Sequence, residues 1–79
     1  MTNREKYDDI FMESFHVDKV GLSETLVYQS IPAWDSVGHM AMIAELEGCF
    51  GIMIDTEDVI DFSSYLKGIE ILAKYNIAI

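Results

Sequence analysis

Basic residues are scarce in this chain. Of its 79 residues, 5 are Lys or Arg and 14 are Asp or Glu, a formal net charge of −9. No Lys or Arg stands between Lys19 and Lys67, while eight acids fall there: Glu24, Asp35, Glu45, Glu47, Asp55, Glu57, Asp58 and Asp61. A field of this sign repels phosphate backbones and anionic lipid, so it argues against nucleic acid and membrane surfaces as partners. It argues for partners with basic docking surfaces. The single cysteine, Cys49, excludes an internal disulfide and a cysteine-built zinc site. No apolar run reaches the ~18 residues of a membrane span, and Met1 to Lys6 lacks the apolar core of a signal peptide. A cytoplasmic chain without membrane insertion is expected. Repeats and low-complexity segments are also missing.

What is present is a half-apolar chain, 51% hydrophobic, and therefore a globular one. Its length fits one domain, residues 1–79, expected as a monomer, with no room for a deep active site and a supporting shell. Tyr7, Ile10, Phe11 and Phe15 fall at helical spacing, which predicts a first helix over residues 3–15 with Arg4, Glu5, Asp8, Asp9 and Glu13 on its other face. His16 to Trp34 reads as a long loop with a short turn starting at Ser23. Leu22, Leu26, Val27, Tyr28, Ile31 and Trp34 are there to pack it.

A second helix is predicted from Ser36 to Phe50, with Asp35 as N-cap and Gly51 as its stop. At about 100° per residue, Met42, Ile43, Leu46 and Phe50 gather around His39 as its core face. Val37, Ala41, Ala44 and Gly48 form a small, apolar stripe away from the core, with Met40 between that stripe and Ser36. Glu45 points to the side opposite Ser36. Ile52-Met53-Ile54 is too short and isolated for a sheet and reads as an extended connector. A short third helix follows from Asp55 or Thr56 to Asp61. A fourth, capped by Ser63 or Ser64, runs to Tyr75 with Leu66, Ile69, Leu72 and Ala73 inward. Gly68 is expected to weaken it by about 1 kcal/mol relative to Ala. The sum is an all-α small four-helix bundle with a long loop between helices 1 and 2 and a short helix 3.

The chemistry concentrates at Trp34-Asp35-Ser36-Val37-Gly38-His39-Met40. Ser36 is placed at a helix N-terminus, where free N–H groups and the positive end of the helix dipole stabilise a phosphate ester on its oxygen. As a catalytic nucleophile it would need a base and an oxyanion site. His39 lies one turn on, but the Gly-x-Ser-x-Gly elbow is absent, and His39 is expected to hydrogen-bond to the loop instead. The acids Asp55, Glu57, Asp58 and Asp61 lack the Gly and terminal Glu of a calcium loop, so they read as a solvated face that docks basic partners. Cys49 reads as a half-buried, inert thiol.

Asp35-Ser36-Val37 resembles the Asp-Ser-Leu signature of acyl carrier proteins. Ile43 to Ile52, with Leu46-Glu47 and Phe50, is similar to the helix that follows it in that family. The resemblance covers about residues 3–76. Val37 replaces the commoner Leu, and Trp34 stands where many members have a small residue. The resemblance implies the acyl-carrier type of bundle and a covalent 4′-phosphopantetheine arm on Ser36, next to Asp35, whose terminal thiol holds an acyl group as a thioester. It implies no catalytic residue and no resident metal. Its partners are then a phosphopantetheinyl transferase and acyl-loading and acyl-transfer enzymes, meeting a surface of Val37, Met40, Ala41, Ala44, Glu47, Glu57 and Asp58. Central fatty-acid carriers usually present several acids beside the serine. Here Ala41, Ala44 and Gly48 take that side, which points to a specialised pathway such as polyketide, nonribosomal peptide or cell-surface glycan modification. A peptidyl or aminoacyl carrier and an unmodified carrier-like interaction domain are the alternatives.

Overall fold

Thr2 opens the first element. Its hydroxyl accepts the Glu5 N–H while the Glu5 carboxylate accepts the Thr2 N–H, a reciprocal pair that satisfies two donors with no partner of their own. The computed structural model describes residues 1–79 and places helix α1 at Asn3–Phe15, α2 at Ser36–Phe50, α3 at Thr56–Asp61 and α4 at Tyr65–Ala73. There are four helices and no strands; a 3₁₀ turn at Lys19–Gly21 interrupts the long connection between α1 and α2. That turn was not foreseen, although Asp18 caps it through the Gly21 N–H. No helix is long and apolar enough to cross a membrane.

The core is aromatic. Tyr7, Phe11 and Phe15 of α1, spaced four residues apart, meet Trp34, Phe62 and Tyr65, and all six are buried. Phe11 lies at the centre, with its ring 5.5 Å from Trp34 and 5.4 Å from Tyr65, both edge to face, an arrangement that adds to plain area burial. Ile10 of α1, Met42, Ile43 and Leu46 of α2, Ile71 and Leu72 of α4, and Leu26 and Ile54 from the connections complete the cluster. The loop is held by main-chain bonds as well as by Leu26 and Trp34. Tyr28 donates to the Ser63 carbonyl at 2.8 Å and Tyr65 to the Leu26 carbonyl at 2.9 Å, pinning the loop to the corner between α3 and α4. Val27 and Tyr28 themselves stay exposed.

Several expectations need correction. Phe50 is only half-buried, because it sits in the last residue of α2 where the helix runs off the core. The inward face of α4 is Tyr65, Gly68, Ile71 and Leu72; Leu66 is 47% exposed and Ala73 is exposed, and the helix ends at Ala73 rather than Tyr75. Gly68 is not a weak point. A Cβ at that position would collide with the Phe62 ring and the Tyr7 hydroxyl, so only glycine lets α4 seat here. Asp8 is buried rather than solvated: its carboxylate accepts the Tyr65 hydroxyl and lies 3.5 Å from Arg4 Nε. Burial, followed by that bond to Asp8, pushes the Tyr65 hydroxyl up to about 12. Cys49 is exposed, not half-buried.

Candidate functional site

Asp35 has the extended backbone of an N-cap, and its carboxylate accepts the Gly38 N–H at 2.8 Å. Ser36 is therefore the first residue of α2, and its hydroxyl is not spent on capping. It is exposed, and no side-chain hydrogen bond of the chain involves it. The Ser36 and Val37 N–H groups make no hydrogen bond within the chain, so they remain free at the positive end of a 15-residue helix. Gly38 makes this geometry possible. A Cβ there would run into the Ala33 carbonyl, so the loop backbone reaches the first turn of α2 only across a glycine.

Ser36 stands at the rim of a cleft of about 310 Å³ between the start of α2 and α3. The walls are Tyr28 from the loop, His39 and Met40 from α2, and Val59, Ile60, Phe62 and Ser63 from α3 and its end. Two of these walls are apolar side chains open to solvent, Met40 at 55% and Ile60 at 74% exposed, and Val37, next to Ser36 in the chain, is 77% exposed. Below the cleft, Trp34 Nε1 donates to His39 Nδ1 at 3.0 Å, and the other ring nitrogen, Nε2, lies 2.8 Å from the Val59 carbonyl. The tautomer that satisfies both contacts carries its proton on Nε2. His39 thus ties the loop, α2 and α3 together, as expected of a loop-bonded histidine, and keeps no free ring nitrogen for Ser36.

The expected partner surface divides. Met40 lines the cleft with Ser36, Val37 is exposed next to Ser36 without lining the cleft, and Glu57 is exposed on α3. Ala41 and Ala44 are exposed but lie off the cleft, in shallow grooves against α1 that they share with Glu45. Ala44 and Glu45 therefore line the same groove. Glu47 is half-buried and accepts the Ile54 N–H at 2.9 Å, holding the connector to α3. Asp58 is buried rather than presented to a partner, because Lys74 and Tyr75 both donate to its carboxylate. The Lys74 contact first, then the Tyr75 hydroxyl, holds Asp58 below the usual carboxylate range. The Asp58 contact holds Lys74 and Tyr75 above theirs.

From sequence, Tyr28 reads only as loop packing and Ser63 only as a candidate cap, a role that Ser64 takes, while Val59 and Ile60 carry no expectation. One signal was present: Val59 and Ile60 are adjacent on a six-residue helix, so both cannot face the core. No family model, no curated protein and no solved structure matches this chain.

Proposed function

We propose that the chain is a carrier protein of the acyl-carrier type, modified on Ser36 by a phosphopantetheinyl transferase. The observation that carries the reading is an exposed, unbonded serine hydroxyl at the start of a long helix, beside two free N–H groups and at the rim of an apolar cleft. These residues suit a phosphodiester: Ser36 Oγ as the point of attachment, the Ser36 and Val37 N–H groups and the helix dipole facing its charge. When bound, the 4′-phosphopantetheine arm supplies a thiol that carries an acyl group as a thioester.

The chain's own tasks are then to hold the attachment point clear of the core and to dock weakly with successive partners. Val37, Met40 and Ile60 offer apolar contact beside the arm, and Asp35 and Glu57 favour basic surfaces. The chain performs no chemistry of its own in this reading, and the acids at large raise encounter rates with basic loading and transfer enzymes. The cleft between α2 and α3 favours an acyl cargo over a charged amino acid, because its walls are mainly apolar. The test is incubation with a phosphopantetheinyl transferase, coenzyme A and Mg²⁺, read by intact mass. A gain of one phosphopantetheine is the expected result. An unchanged mass, with a known carrier modified in the same reaction, leaves an unmodified interaction domain and overturns the proposal.

A further inference from the structure

Two shallow grooves, of about 400 and 250 Å³, run end to end between α1 and the outer face of α2, sharing Ile10 and Glu45. Their floor is Ile10 from α1 and Ala41, Ala44 and Gly48 from α2. Ala41 to Gly48 spans about 10 Å of helix axis, two turns of an occupant lying alongside. This face lies roughly 80–140° around α2 from Ser36, by the helical repeat, and shares no residue with the cleft.

Gly48 stands out among the glycines inside helices. Gly38 and Gly68 are required by close neighbours, whereas a Cβ on Gly48 would meet nothing within 4 Å. A glycine inside a helix costs about 1 kcal/mol against Ala, and the fold of this chain gains nothing from it. What the glycine does provide is bare backbone, open to close approach from outside.

The rim is charged with one dominant sign. Asp9, Glu13 and Glu45 border the grooves, with Lys6 as the one basic side chain and Met1, with its amino group, at one end. A second copy of this chain is a poor match, since it carries 5 bases against 14 acids, and Arg4 and Lys74 already pair with Asp8 and Asp58. We propose that the α1–α2 groove docks an amphipathic helix of a partner protein, one with a small or aliphatic face flanked by Lys or Arg. Such a contact holds a partner while the Ser36 face stays open, and it does not depend on modification of Ser36.

The test is NMR amide-shift mapping of the full, unmodified chain against two synthetic helical peptides with the same Ala/Leu face. One carries Lys and Arg on its flanks and the other carries Glu. Saturable shifts at Asp9, Ile10, Ala44 and Gly48 with the basic peptide alone support the proposal. Gly48→Leu fills the groove in open space, so it is expected to fold and to weaken binding at least about tenfold; Glu45→Lys is expected to weaken it as well. The proposal is overturned by absent saturation, by equal binding of the acidic peptide, or by shifts centred on Ser36 and Ile60. It is equally overturned if folded Gly48→Leu binds as the parent does. Concentration-dependent shifts at these amides without peptide would assign the groove to a second copy and also overturn it.

Discussion

Gly68 packs its bare Cα against the Phe62 ring and the Tyr7 hydroxyl, so a side chain there must displace both of them. Both neighbours are fully buried, and neither has room to retreat. Gly68→Ala is therefore expected to lose at least about 1–3 kcal/mol despite the better helix propensity of Ala, measured by denaturant unfolding. Equal or higher stability would show that α4 seats differently. Phe50 is the converse case. Partly exposed but packed against the core, it should cost about 2–3 kcal/mol on replacement by Ala, less than the roughly 3–5 kcal/mol expected for Phe11→Ala at the centre of the core. Similar losses for the two would contradict the burial described. Ser36, Asp35 and His39 were legible in sequence because capping and helical periodicity are local. Gly68 and Asp8 were not. Their roles depend on Tyr7, Phe62 and Tyr65, which reach them from distant parts of the chain, and no local pattern records that meeting.

Among the elements, α3 is the least self-sufficient. It has six residues and no side-chain N-cap bond, so its position rests on contacts from outside. His39 holds the Val59 carbonyl, the Tyr75 hydroxyl accepts the Asp55 N–H at 2.9 Å, and Asp58 is clamped by Lys74 and Tyr75. Folding lowers the Asp58 pKa, so its contribution is complete above the unfolded value, about 4, and is lost as pH falls through the folded one. Folding raises Lys74 and Tyr75, so theirs is complete below the unfolded values, about 10, and is lost as pH rises through the folded ones. Asp58→Asn should lower Tm at neutral pH and flatten the fall in Tm on acidification; a parent-like acid limb would show that the clamp contributes nothing. The boundaries of α1, α2 and α3 could be read from caps and apolar spacing, and the end of α4 could not. Asn76, at φ 65°, closes that helix with the Ile77 N–H on the Leu72 carbonyl, a turn usually marked by glycine.

At the scale of the whole molecule, charge and the serine face dominate. The net charge of −9 sits on a domain whose radius of gyration is 11.3 Å, so like charges are crowded. Raising salt from low to moderate concentration should raise Tm, because screening relieves repulsion that the two ion pairs do not offset; a flat or falling Tm would remove this cost from the balance. The cleft was only half legible. Its α2 wall follows from periodicity, whereas Tyr28 and Ser63 arrive through the loop-to-corner hydrogen bonds that no sequence spacing predicts. The carrier reading itself rests on one oxygen atom. The decisive measurement is intact mass of the parent and of Ser36→Ala after identical transferase reactions, with circular dichroism showing both folded. One phosphopantetheine on the parent and none on Ser36→Ala is the expected result, since Asp35 still caps α2 in the variant. An arm on folded Ser36→Ala, or none on the parent, would contradict it.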